Sequence, residues 1–235
     1  MIRTIIMLMF WGVSVLVVGP GMMVHAFLTG NILPLYRVGM KLGITGVRVA
    51  GIKIEVRGLE NIQPTRSYIF MSNHASNLDP PVFVPNIPGR CSVFFKKEVL
   101  RIPIFSKVMK MAEMVPVDRD NREAAIESVH AAARVLRSGL NMVIFPEGTR
   151  SRDGRLLPFK KGPFHLAMEA GVAVIPVTLL GTYECWPKGS FASHGGTTTV
   201  VFHPPIEPAE FRNRDALMMA IRSAIASALP EDRRS

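Results

Sequence analysis

Tyr68-Ile69-Phe70-Met71-Ser72-Asn73-His74-Ala75-Ser76-Asn77-Leu78-Asp79-Pro80-Pro81 joins three unlike pieces of chain. The apolar run from Tyr68 to Met71 has the character of a buried strand. Pro80 and Pro81 cannot sit inside a helix but suit its first turn, so a helix is expected to open at Asp79 and continue through Val82, Phe83 and Val84. His74 is then left in a strand-to-helix loop, ahead of a carboxylate at or near the helix N-cap. An imidazole accepts a proton near neutral pH, and a carboxylate on its far nitrogen fixes the tautomer and stabilises the cation. Such a pair suits deprotonation of an alcohol. Taken alone, the residues also fit a plainer arrangement in which Asp79 caps a helix and His74 is a satisfied loop residue.

Outward from this block the chain alternates strand and helix. Strands are expected over Val47 to Arg57, Ser67 to Met71, Ser92 to Phe95, Met114 to Val117, Asn141 to Phe145, Val172 to Leu179 and Val200 to Phe202. Between them, helices are expected over Pro103 to Met111, from a capping box at Asp120-Asn121-Arg122-Glu123 to Gly139, over Gly162 to Ala170, and over Asp215 to Leu229. Gly181 to Thr197 lacks periodicity and reads as a loop over the site. The pattern predicts an α/β fold: a mainly parallel or mixed central sheet of about seven strands flanked by helices. In such sheets sites gather at the carboxyl ends of strands, where His74, Lys97, Glu147 and Arg150 all fall, so these four are expected to share one cleft.

The amino end differs in kind. From Thr4 to Tyr36 there is no Lys, Arg, Asp or Glu, and the run Ile5 to Val18, apolar apart from Gly12 and Ser14, is interrupted at Gly19-Pro20-Gly21. Three readings stay open: a signal peptide cleaved near Val24-His25-Ala26, a single membrane-spanning helix, and a bent helix pair in one leaflet whose second helix runs from Ile32 to Gly46. The chain thus divides into residues 1–46, an apolar helical membrane motif, and residues 47–235, an α/β domain. Arg37, Lys41, Arg48, Lys53 and Arg57 follow the apolar stretch while only Arg3 precedes it, which places the domain on the cytoplasmic face of a cell membrane.

The net charge of +10, with a mean hydropathy of +0.25, points to an anionic partner. Beside so apolar a terminus that partner is a membrane surface and its lipids. Nucleic acid is disfavoured, because the few aromatics are not interleaved with the basic residues. Cys91 and Cys185 have neither metal nor redox spacing, so no metal site and no cofactor is expected, and both read as packing residues. His130 reads as a surface residue.

Asn73-His74-x4-Asp79 resembles the first signature block of the glycerolipid acyltransferases, most closely the 1-acylglycerol-3-phosphate (lysophosphatidate) acyltransferases. Val143-Ile144-Phe145-Pro146-Glu147-Gly148-Thr149-Arg150-Ser151 resembles their phosphate-binding block, and Val174-Ile175-Pro176-Val177 their last. Lys96-Lys97-Glu98-Val99-Leu100 and Pro116-Val117-Asp118-Arg119 resemble the segment between. The resemblance implies transfer of a fatty acyl group from acyl-CoA or acyl carrier protein to the 2-hydroxyl of 1-acyl-sn-glycerol 3-phosphate, giving phosphatidate. It implies His74 as general base oriented by Asp79. Arg150, Lys97 and Arg119 are implied to grip the acceptor phosphate, with Glu147, Gly148 and Thr149 shaping the turn and Glu147 also reaching the glycerol hydroxyls. The residues show no Ser or Cys in a nucleophile-elbow context, so direct transfer is expected. It also favours the in-leaflet helix pair. Two alternatives stay open: another lyso-lipid acceptor such as lyso-ornithine lipid, and a lipid-binding protein of the same fold without turnover.

Overall fold

The computed structural model describes residues 1–117 and 122–234. Two helices open the chain, α1 (Ile2–Thr29) and α2 (Leu33–Val49). They are followed by β1 (Ile52–Arg57), β2 (Ile69–Ser72), α3 (Asp79–Phe83), β3 (Cys91–Lys96), α4 (Pro103–Met111), β4 (Val115–Val117), α5 (Arg122–Arg137) and β5 (Asn141–Ile144). Then come α6 (Gly162–Ala170), β6 (Val174–Leu180), α7 (Thr182–Cys185), β7 (Gly196–Phe202) and α8 (Arg214–Ser227). The seven strands form one mixed sheet in the order β1-β7-β6-β2-β5-β3-β4, in line with the fold class expected from the sequence. β2 runs parallel to β5 and β6, and β3 parallel to β5 and β4, whereas β7 is antiparallel to β6 and carries β1 parallel to itself.

Strand alternation sends neighbouring residues of β2 to opposite faces. Tyr68 and Phe70 enter the core beneath α2 and α3, with Val143, Ile175, Val177, Phe83 and Phe202. Ile69 and Met71 enter the other core, with Met142, Ile144 and Val174, under Ala132, Leu136, Phe164, Leu217 and Ile221 of α5, α6 and α8. Phe70 stands edge-on to Tyr68 and Phe202 and to Phe83, at centroid distances of 6.0, 5.9 and 6.3 Å. Such pairs add about 0.5–1.5 kcal/mol each beyond burial, and here they anchor the strand that feeds the His74 loop.

α1 is one helix through Gly19-Pro20-Gly21, so the expected interruption does not end it; it stops at Gly30, in the left-handed region at φ 70°. Thr4, Met7, Trp11 and Ser14 recur at three- and four-residue spacing and face the body. Met7 lies fully inside the first core. Thr4 Oγ1 accepts from Ser193 N at 2.6 Å, Arg3 Nη1 donates to the carbonyl of Ala50, and Trp11 Nε1 to that of Gly43. A Cβ on Gly46 would lie 2.1 Å from the Trp11 indole nitrogen, so only glycine allows this contact of α1 with α2. The opposite side of α1 exposes Ile5, Met9, Val13, Leu16 and Val17.

The expected first strand needs correction: Val47–Val49 finish α2, and pairing begins only at Ile52, opposite Gly196 of β7. The 181–197 stretch is not wholly irregular either, since it contains α7 and the first residues of β7. Residues 120 and 121 of the expected capping box lie outside the described residues. Cys91 and Cys185 are buried, and burial pushes the Cys91 thiol up to about 12, as befits a packing residue. His130 is exposed and sits 2.6 Å from Glu169.

Candidate active site

The loop between β2 and α3 is tied down residue by residue. Asn73 bonds the backbone of Leu179 in both directions, pinning the end of β2 to its neighbour β6. Ser76 Oγ donates to the carbonyl of Trp186 at 2.6 Å and accepts from Leu78 N. Asp79 is fully buried as the first residue of α3, and its Oδ2 accepts from Ala75 N and Ser76 N at 2.8 Å each. The carboxylate therefore turns back on the loop instead of capping the helix.

The same Oδ2 lies 2.7 Å from His74 Nδ1. A carboxylate already holding two N–H groups takes the proton-bearing nitrogen of the ring as its third donor, which leaves Nε2 as the acceptor. Phe145 stacks on the imidazole at 4.0 Å and 18°, fixing the plane of the ring. The side chain of His74 is 17% exposed, enough to meet a substrate but little enough to hold its orientation.

β2 and β5 are parallel neighbours, with Met71 opposite Ile144, so the turn after β5 reaches the His74 loop directly. Ser151 N donates to the carbonyl of His74 at 2.8 Å, and Glu147 Oε1 accepts from His74 N at 2.7 Å. Glu147 Oε2 accepts from Leu157 N. Glu147 is thus buried behind the loop and uses both oxygens on backbone N–H groups. Gly148 makes the turn at φ 70°, where a Cβ would meet Lys160.

Burial raises the carboxyl of Glu147 to about 7 from an ordinary 4.5, against the two backbone donors and Arg222, which lower it. The folded chain therefore holds a proton that the unfolded chain releases first. This contribution is fully present below about 4.5 and is lost as pH rises to about 7. Glu147→Gln is expected to flatten that part of the stability profile, by on the order of 3 kcal/mol between the two limits, as read from urea midpoints of both proteins across this range.

A cleft of about 460 Å³ opens in front of the histidine, lined by His74, Phe145, Gly148, Thr149, Arg150 and Lys188 among others. Arg150 Nη1 bonds the side-chain oxygen of Asn77, and not Glu147. Lys188 Nζ donates to the carbonyl of Arg150 at 2.7 Å and to Thr149 Oγ1 at 3.2 Å. Lys97 is not brought into this cleft. It follows β3, one strand farther toward the sheet edge, and lines a separate cavity of about 490 Å³ with Glu127, His130 and Arg134. An apolar pocket of about 270 Å³ lies between, sharing Phe94, Phe145 and Gly148 with the cleft and Ser128 with the Lys97 cavity. Arg119 lies outside the described residues. Among the described residues no group of three or more His, Cys, Asp or Glu is placed to hold a metal ion.

Asn73, Asn77, Phe145 and Lys188 were not singled out by sequence reasoning. The first two lie within the quoted block and Phe145 heads the turn after β5, but only long-range pairing reveals what they do. Lys188 had one signal, its place in the loop expected to cover the site.

Fold and site define a mixed α/β protein with a histidine–aspartate pair at the carboxyl edge of its central strands and an apolar helix laid along its body. The sequence model of the family described as Acyltransferase matches residues 53–180. A 1-acyl-sn-glycerol-3-phosphate acyltransferase of Limnanthes douglasii is 39% identical over 169 residues, covering 72% of this chain and 59% of the relative. One from Borreliella burgdorferi is 33% identical over 183 residues, covering 77% and 73%. The crystal structure of the 1-acyl-sn-glycerophosphate (LPA) acyltransferase PlsC from Thermotoga maritima superposes with a TM-score of 0.80 at 26% identity, covering 95% of this chain and 92% of that one. The chain belongs to the Acyltransferase family, among the 1-acyl-sn-glycerol-3-phosphate acyltransferases. It spans 51–59% of the length of three plant relatives it matches.

Proposed function

We propose that this chain transfers a fatty acyl group from an acyl thioester, acyl-CoA or acyl carrier protein, to the 2-hydroxyl of 1-acyl-sn-glycerol 3-phosphate, yielding phosphatidate. The observation that carries this is the His74–Asp79 pair, whose histidine lines the same cleft as Arg150. Nε2 takes the hydroxyl proton as the alkoxide oxygen attacks the thioester carbonyl, and Asp79 stabilises the imidazolium. The tetrahedral intermediate then expels the thiolate, which recovers the proton from His74. No acyl-enzyme is required: Cys91 and Cys185 are buried, and Thr149 is held by Lys188.

Arg150 offers a planar fork for the acceptor phosphate, and its partner Asn77 is neutral, so the positive charge stays available. Arg150→Ala is expected to raise the acceptor KM by about tenfold or more and the donor KM little, in initial-rate assays varying each substrate. An effect confined to the donor would contradict the assignment.

The stripe of Thr4, Met7, Trp11 and Ser14 on the body, with apolar residues on the other side of α1, supports a helix lying in one leaflet. A perpendicular span would strip Met7 from the core, and cleavage near Ala26 would remove it altogether. The catalytic face then meets lyso-lipid at the cytoplasmic surface, where acyl thioesters are made.

A further inference from the structure

The phosphate grip described so far rests on Arg150, yet a second cation stands in the same cleft on an element that the family's sequence blocks do not include. We infer that Lys188 is a phosphate ligand, forming with Arg150 one site for the phosphomonoester head of a lyso-lipid. This deepens the proposed function and rests on it for the identity of the lipid.

Three observations carry it. First, the partners of Lys188 Nζ are both neutral, the carbonyl of Arg150 and the hydroxyl of Thr149, which occupy two of the three N–H groups of an ammonium. Second, neither Lys188 nor Arg150 has a carboxylate partner among the described residues. Several other surface cations do have one: Arg66 with Glu207, Lys161 with Asp215, Arg233 with Glu184. Two unpaired like charges lining one half-buried cleft repel each other, and an anion placed between them reverses the sign of that term. A lipid phosphomonoester, close to doubly charged near neutrality, suits two cations better than one.

Third, the lysine is held in place from both sides. Trp186, two residues before it, receives Ser76 Oγ from the His74 loop and donates its indole N–H to the carbonyl of Ser190. Beyond it, Ser193 is bonded to Thr4 of α1. The segment from Trp186 to Ser193 is thus strapped between the catalytic loop and the apolar helix, and it lays Lys188 over the Thr149-Arg150 turn. In the acceptor the 2-hydroxyl is on the carbon next to the one bearing the phosphate, so a headgroup held here lies beside His74.

The test measures equilibrium binding by the full-length chain in detergent micelles, in a His74→Ala background that prevents turnover. The probes are 1-acylglycerol 3-phosphate and the 1-acylglycerol of the same chain length. Lys188→Gln is expected to weaken binding of the phosphate-bearing lipid by about tenfold to a hundredfold and to leave the uncharged one unchanged, while Lys188→Arg keeps most of the affinity. Equal loss for both lipids would make Lys188 a brace for the turn and overturn the inference, as would no loss for either. Because binding is read without turnover, absence of acyl transfer by the unmodified chain would refute the proposed reaction and leave this result standing.

Discussion

His74→Ala is expected to lower the rate of acyl transfer by about 10²- to 10⁴-fold while the protein stays folded and membrane-bound. The loss follows from removing the proton acceptor, with the phosphate grip and the apolar helix untouched. Folding survives because Asp79 Oδ2 keeps two backbone donors when the imidazole is removed. The packing lost with the imidazole includes its stack on Phe145. Steady-state rates on vesicles, paired with urea midpoints and flotation with the membrane, read all three quantities. Full turnover by a folded variant would remove His74 from the role of base.

Asp79→Asn is expected to cost nearly as much, again about 10²- to 10⁴-fold in kcat, for a different reason. The amide oxygen can still accept from Ala75 N and Ser76 N, so the loop keeps its shape. That oxygen is also the one facing His74 Nδ1–H, so the ring keeps its tautomer, and what is lost is the negative charge that makes Nε2 more basic and stabilises the imidazolium. Asp79→Ala is harsher on stability, because two buried N–H groups lose their acceptor at about 1–3 kcal/mol each. Since both residues act through one proton transfer, His74→Ala combined with Asp79→Asn is expected to be no slower than His74→Ala alone. Additive losses would show that Asp79 has a second role.

The block from Tyr68 to Pro81 was legible because its information is local. An apolar run, a polar loop and a proline pair dictate strand, loop and helix start without reference to the rest of the chain. The helix Gly162–Ala170 was likewise bounded by its own glycines. What was not legible depends on distant partners. Val47 and Val49 alternate as a strand would, yet Val47 is drawn into the core as the last turn of α2 while Val49 stays exposed. Gly19-Pro20-Gly21 looks like a helix stop, yet the helix runs straight through it; on the in-leaflet placement proposed above, breaking it there would expose unpaired backbone to lipid. Lys97 ends a strand as a site residue should, and only the strand order carries it away from His74. Glu147 was legible as a site residue but not as the clamp on the His74 backbone, which needs β2 beside β5.

The most direct test follows thiol release from a fatty acyl thioester by the full-length chain on vesicles, with and without 1-acylglycerol 3-phosphate. Direct transfer by a His74–Asp79 base predicts release only when the acceptor is present, one thiol for each phosphatidate formed. Release of one equivalent per protein without acceptor, or none with it, would contradict the account.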